Sequence, residues 1–278
     1  MSRLTPALLG TALLLVPATH AAADIIAADT FEGYPSGIIH SVNAPAMPGL
    51  TGNYFAIGTA SDFYVDRTEA DDSPGNPGEG RAVYDRTDSN NNARIAARSF
   101  DGTPTIFGSP DDTVYLGFTV DPSTTAGQAL FGINFDEDDS LEFGIEGGEY
   151  SIRGISSNNS SNFVSGNTAT DAEQRLVLRL TFNGDGSNEE ATIFRDASAE
   201  TDTTAIVLDV TTNLLNSNPA PYIGESIRLV GQGQSGQPIF FDDVVVATTF
   251  NEANLIPEPA SLALLAAGGL CLLPRRRR

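Results

Sequence analysis

Two acidic turns hold the residue types and spacings that best promise chemistry. The stretch "NFDEDDSLE" presents Asp136, Glu137, Asp138 and Asp139, and "FNGDGSNEE" presents Asn183, Asp185, Ser187, Glu189 and Glu190. Carboxylate, amide and hydroxyl oxygens are the hard ligands that calcium collects. Asp136, Asp138, Asp139, Asn183, Asp185 and Glu189 are therefore the candidate calcium ligands, and calcium is the only cofactor in view. Neither turn has the glycine and terminal glutamate positions of an EF-hand loop, so each also reads as an ordinary polar turn. A second pattern is "LEFGIE". Cleaving a glycosidic bond with retention needs two carboxyl groups about 5 Å apart. Glu142 and Glu146 stand four apart with Gly144 where a middle acid would be, so the spacing fails and the pair reads as a solvated acidic face.

Other chemistries lack parts. The only histidines are His20 and His40, and His20 falls within a leader, as described below. No Ser-His or Cys-His pair can be assembled, and a histidine-rich zinc site is excluded. His40 reads as a loop residue. A lyase would want arginine, glutamine or histidine, and tyrosine on consecutive strands; Arg153 near Tyr150 is an isolated hint. No enzyme activity is expected. Sugar binding would want exposed aromatics, and tryptophan is absent. Tyr54, Tyr64, Tyr84 and Tyr115 could stack on sugars, though core packing explains each equally well.

The elements that must position these residues are strands. In "QRLVLRLTFNG", Leu176, Leu178, Leu180 and Phe182 alternate with Arg175, Arg179 and Thr181, the period of a half-buried strand. "LEFGIEGGEYSIRG" puts Leu141, Phe143 and Ile145 on one face and turns at Gly147-Gly148 into Tyr150 and Ile152, which predicts a hairpin. Eight similar runs lie between residues 54 and 250. Turn formers interrupt them every eight to fifteen residues. "EADDSPGNPGEG" and "ISSNNSSNFVSGNTATDAEQ" read as exposed loops. With no convincing amphipathic helix and no internal repeat, the fold class is all-β, an antiparallel β-sandwich.

Charge narrows the partners. The chain has 278 residues, no lysine and a formal net charge of -21. Between Asp24 and Ile256 lie 35 acids against 10 arginines, about -25. Such a surface repels phosphate backbones, so nucleic acid is not an expected partner.

Both ends look like addresses. "MSRLTPALLGTALLLVPATHAAADII" has Arg3, an apolar run from Leu8 to Val16, and small residues at Ala21 and Ala23. It reads as a signal peptide over 1–23, making signal peptidase a partner, with cleavage before Asp24. At the other end, Ala260 to Pro274 would form one helix of ~22 Å, a marginal single span of a ~30 Å hydrocarbon core. Arg275, Arg276, Arg277 and Arg278 would hold its end in the cytoplasm and leave the acidic body outside. Cys271, the only cysteine, lies within that segment, so the body folds without a disulfide.

The order Pro257-Glu258-Pro259, apolar segment, arginine cluster resembles the PEP-CTERM sorting signal of exosortase substrates in Gram-negative bacteria, here over 256–278 with a transmembrane segment at 260–274. That resemblance implies a precursor held in the inner membrane, processing by exosortase at or beside Pro257, Glu258 and Pro259, and delivery to the cell surface or an exopolysaccharide matrix. The body, 24–252, is similar to laminin-G-like, concanavalin-A-like jelly rolls in "AEQRLVLRLTFNGDGSNEEATIFRD" and "ESIRLVGQGQSGQPIFFDDVVVATTF", the latter carrying Phe241-Asp242-Asp243-Val244 as a closing strand. The expected function is an exported structural or adhesive component of the envelope or matrix, associated with exopolysaccharide or biofilm. A lectin-like module and a polysaccharide-active enzyme are the alternatives.

Overall fold

The computed structural model describes residues 25–57, 63–67, 80–85, 93–102, 105–107, 112–122, 126–135, 139–155, 161–183, 188–215, 222–233 and 237–254. In chain order their strands are β1 (Ile25–Asp29), β2 (Gly37–Ile38), β3 (Phe55–Ile57), β4 (Phe63–Arg67), β5 (Gly80–Tyr84), β6 (Arg94–Ser99), β7 (Thr105–Phe107), β8 (Thr113–Pro122) and β9 (Gln128–Phe135). There follow β10 (Ser140–Glu146), β11 (Glu149–Ile155), β12 (Ser161–Thr168), β13 (Gln174–Thr181), β14 (Glu189–Arg195), β15 (Ile206–Thr212), β16 (Tyr222–Gln232), β17 (Ile239–Ala247) and a short helix α1 (Phe250–Asn254).

Every strand pairing is antiparallel, and the strands form two sheets. One runs β15-β14-β13-β8-β17-β5-β4-β2, with β1 added on β17; the other runs β12-β11-β10-β9-β16-β6-β3, with β7 added on β16. The predicted sandwich is therefore present. The Gly147-Gly148 hairpin is also as expected, joining β10 to β11. One stretch read as a loop differs: "SNFVSGNT" is strand β12, because Val164 packs against the core even though its neighbours are polar turn formers.

The alternation seen in the sequence builds the core. Phe118 of β8, stacked beside Phe241 of β17, meets Phe131 of β9 and Phe143 of β10 across the interface between sheets. Ring centroids are 5.2 Å apart for Phe118–Phe143 and 5.7 Å for Phe118–Phe131. All four rings are fully buried, and burying one such side chain stabilises by roughly 1.5–3 kcal/mol. Tyr54, Tyr84 and Tyr115 belong to this buried set rather than to a sugar-stacking surface, because each sits at an inward or covered position. Tyr115 packs under α1 against Phe250, and burial together with a hydrogen bond to Glu200 pushes its hydroxyl up to about 12.

The packed chain continues two residues past the expected end of the body. Ala253 is fully buried, and the guanidinium of Arg175 donates to the Ala253 and Asp243 carbonyls, pinning α1 to β13 and β17. Burial lowers the pKa of Arg175 to about 10, so it stays protonated at neutral pH. No helix among the described residues is long and apolar enough to cross a membrane. The expected leader at 1–23 and span at 260–274 lie outside the described residues.

Candidate functional site

The residues that converge are on the outer face of the eight-stranded sheet, and register brings them together. Reading across the strands, Phe55 of β3 lies opposite Ala97 of β6, Ala97 opposite Arg228 of β16, and Arg228 opposite Gly132 of β9. The row continues from Gly132 to Glu142 of β10, Arg153 of β11 and Phe163 of β12. Six strand spacings of about 4.8 Å make this row roughly 29 Å long. Its two ends are exposed phenylalanines, Phe55 at 42% and Phe163 at 47%.

Its centre is an ion triad. Glu142 is fully buried; Arg153 Nε donates to its Oε2 at 2.8 Å and Arg228 Nη2 approaches its Oε1 at 2.7 Å. Arg153 also reaches Glu146 Oε1 at 3.5 Å. Arg228 stands two strands away from Glu142, with Gly132 of β9 between them in the row, where close approach to β10 leaves no room for a side chain. A Cβ at Gly132 would lie 2.0 Å from the Leu141 carbonyl. Burial lowers the pKa of Arg228, while Glu142 opposes that shift. The expected solvated acidic face is thus corrected: Glu142 does point away from the core, but two cross-strand arginines cover it. Gly144, where a middle acid would stand in a glycosidase, has φ +148 and a Cβ there would sit 2.2 Å from the Ala129 carbonyl. Only glycine fits.

Neighbouring rows carry polar groups that remain unsatisfied. Asn134 donates to Ser226 Oγ at 2.7 Å and accepts from Arg228 Nη1 at 2.7 Å. Gln128 Nε2 donates to Glu146 Oε1 at 2.6 Å. By contrast Ser140 Oγ, Ser151 Oγ, Gln128 Oε1, Glu146 Oε2 and Arg228 Nε are buried without a hydrogen-bond partner. All five lie on this same outer face. A buried polar atom left unpaired costs about 1–3 kcal/mol, so this face carries a local energetic cost. Where the row reaches β3 it opens into a recess of about 590 Å³, whose lining includes Phe55, Ser99, Asn134, Glu225, Ser226 and Arg228.

The residues singled out in the acidic turns are placed differently. Glu189 is buried and its Oε2 accepts from the Leu214 amide at 2.7 Å, so it holds the segment after β15; burial pushes its pKa up. Asn183 Nδ2 closes its own turn on the Asn188 carbonyl at 2.8 Å. Asp139 is buried beside the recess, and its carbonyl accepts from Phe135 at 2.7 Å. Asp136, Asp138, Asp185, Pro257, Glu258, Pro259 and Arg275 to Arg278 lie outside the described residues. Among the described residues no three acidic, histidine or cysteine side chains gather as a metal site. His40 is exposed in the turn after β2.

The lyase hint dissolves by geometry, since Arg153 points outward and Tyr150 inward. An arginine, a glutamine and a tyrosine do meet as Arg195, Gln174 and Tyr150. Tyr150 Oη donates to Gln174 at 2.7 Å and accepts from Arg195 at 3.2 Å. Tyr150 is wholly buried and Gln174 donates to the Thr170 and Ala172 carbonyls, so the group joins the two sheets. The sequence reading missed Phe55, Phe163, Asn134, Ser140, Ser151 and Arg228. The only available signal was that each stands at an outward position of its strand.

No family model and no curated protein sequence matches the chain. Solved structures that resemble it include the receptor binding domain of botulinum neurotoxin D, at 9% identity and a TM-score of 0.41 over 77% of this chain and 50% of that one. Others are the binding domain of Paraclostridial Mosquitocidal Protein 1, at 8% and 0.44 over 79% and 48%, and the botulinum neurotoxin serotype G binding domain, at 13% and 0.42 over 88% and 51%. The chain spans about half the length of each.

Proposed function

We propose that this chain is an exported, non-catalytic adhesive β-sandwich of the cell envelope or extracellular matrix, and that it adheres through the outer face of its eight-stranded sheet. The observation that carries this reading is the single row of that sheet in which a charged triad stands between two exposed phenylalanines, with unsatisfied polar atoms beside it. Exposed aromatic side chains are the residue type enriched where proteins meet a partner. The triad is poorly suited to catalysis. Glu142 has both oxygens against guanidiniums, and a general base needs a free lone pair aimed at a proton.

Delivery belongs to the same reading. Signal peptidase removes 1–23, the inner membrane holds 260–274 for a time, and exosortase acts at Pro257-Glu258-Pro259. Replacing those three residues with alanine is expected to accumulate a membrane-bound precursor of unchanged length, visible by immunoblot of membrane and released fractions. Equal processing of both forms would reduce the tail to a plain anchor. For the body, the exported protein should adhere to matrix prepared from its producing cells, and Phe55→Ala with Phe163→Ala should abolish adhesion without moving the melting temperature. Full adhesion by the double variant would remove the sheet face from the reading.

A further inference from the structure

We infer that two copies of this chain pair edge to edge along β12, antiparallel about a two-fold axis, so that their eight-stranded sheets join into one. The inference stands apart from the adhesive reading and holds whatever the outer face meets.

The ends of the two sheet paths single out β12. A terminal strand carries a row of backbone N–H and C=O groups that invite another strand, and proteins guard such edges by shortness, charge or proline. Three of the four terminal strands are guarded. β2 is two residues long and β3 three, and β15 carries the exposed Asp209. The fourth has no such guard. The eight residues of β12, "SNFVSGNT", include neither charge nor proline, and no charged residue stands anywhere between Arg153 and Asp171. Among the described residues its ladder runs to β11 alone, and Phe163, Ser165, Asn167 and Thr168 are exposed.

This edge is also held in place. Val164 packs against the core, and a Cβ at Gly166 would lie 2.8 Å from the Leu208 side chain and 3.0 Å from the Val207 carbonyl, so β12 rests directly on β15. A strand already fixed loses little freedom when it is paired.

A second copy suits the edge better than an unrelated strand does. Two-fold pairing sets a strand against itself, so any charge on it would meet its own like, and like charges directly opposite are destabilising. Bodies that each carry about -25 come together most easily where the contact is uncharged, as β12 is. A strand recruited from a basic partner would instead want acids, which this edge lacks.

Pleating restricts the register. Residues opposite each other point to the same side of a sheet, so the axis must pass through a residue and its own copy. Seven residues then pair most fully, 162–168 about Ser165 or 161–167 about Val164. Either way Phe163, 47% exposed, stands opposite a polar residue of the second copy, Asn167 or Ser165, and its ring loses contact with water.

The test is sedimentation of the exported protein over a range of concentrations. A reversible monomer–dimer equilibrium is expected, tightening from ~0.1 to ~1 M sodium chloride as repulsion between the bodies is screened. Ser165→Asp with Asn167→Asp should raise the dimer dissociation constant about tenfold, and so should Ser165→Lys with Asn167→Lys. Mixing the acidic and basic variants should restore association, because each charge then faces its opposite. Both positions are exposed, so matched thermal melts verify that every variant folds. Monomer throughout, up to about 1 mM, overturns the inference. So does a dimer that neither double variant weakens, or one that the mixture fails to restore, since its contact lies elsewhere. A dimer that loosens in high salt is held by ion pairs and contradicts an uncharged edge. Adhesion by a strictly monomeric protein would sink the pairing and leave the adhesive reading intact.

Discussion

Two buried arginine–carboxylate groups, one inside the sandwich and one on its outer face, are built from the same chemistry to different ends. Inside, Arg98 Nη1 donates to Asp29 Oδ2 and Tyr34 Oη, each at 2.7 Å, Nη2 to the Pro45 carbonyl at 2.6 Å, and Nε to the Gly52 carbonyl at 3.1 Å. Asp29 Oδ1 accepts from the Phe31 amide at 2.9 Å, and Asp29 Oδ2 also accepts from Tyr34. Every nitrogen of the guanidinium is used, and both side chains are essentially without exposure. Outside, Glu142 is shared by Arg153 and Arg228, but five polar atoms around it stay unpaired. The inner network ties the long segment after β1 to β6, with the Tyr54 hydroxyl beside it the one group left unpaired. The outer one leaves more buried polar atoms unpaired, each at a cost. Burial alone does not tell the two apart, whereas the count of satisfied hydrogen bonds does.

The largest break of this contrast should come from Arg98→Met. It leaves the Asp29 carboxylate buried without its cation, and removing one partner of a buried pair costs about 3–5 kcal/mol. Guanidinium denaturation should show the unfolding free energy fall by that amount, as a lower midpoint at unchanged slope, and Asp29→Asn added on top should recover part of it. Retention of wild-type stability by Arg98→Met would mean the inner network is not a lock.

Asp242 sharpens the comparison, being a largely buried carboxylate whose ion pair is loose, Arg81 Nε standing 3.8 Å away. Burial, reinforced by Asp243, pushes its pKa up to about 8. The folded state then holds a proton that the unfolded state has released, so stability from this group is fullest below pH 4 and declines as pH climbs toward 8. Asp242→Asn should therefore stabilise by several kcal/mol at pH 8 and by almost nothing at pH 4. Melts across that range check it, and a gain equal at both pH values would contradict the assignment.

On the outer face, Glu142→Gln removes the shared charge and should cost about 1 kcal/mol, less than the inner break because Arg153 and Arg228 keep some contact with water. Smallest of all is the response to salt. The Debye length shrinks from ~10 Å at 0.1 M to ~3 Å at 1 M, so sodium chloride should raise the melting temperature of the body by a few degrees. A larger rise with calcium at matched ionic strength would point to the Asp136–Asp139 or Asn183–Glu190 turn. In that event Asp138→Asn and Asp185→Asn, made separately, would tell which turn holds the ion.

Much of the sandwich is legible in the sequence, because period-two alternation states which residues face inward whatever strand comes next. Leu141, Phe143 and Ile145, and Leu176, Leu178 and Leu180, are in the core as their spacing requires. Strand β12 was hidden because its single inward anchor, Val164, lies among turn formers, and an outer row has no apolar period to reveal it. Glu142 was misread for a related reason: an acid at an outward position looks solvated until its cross-strand neighbours are known.

By itself, then, the sequence determined the strand class, the inward set, the acidic body and the hairpin at Gly147-Gly148, since each depends on residues close together in the chain. The row from Phe55 to Phe163 was decided only by the tertiary structure. Phe55, Ala97, Gly132, Glu142, Arg153, Phe163 and Arg228 come from seven strands, and adjacent members of the row such as Ala97 and Arg228 are far apart in the chain. Alternation fixes which side of a sheet a residue faces but not which strand lies beside it. That choice, and the register that lines up the triad, follow from how two sheets bury one core.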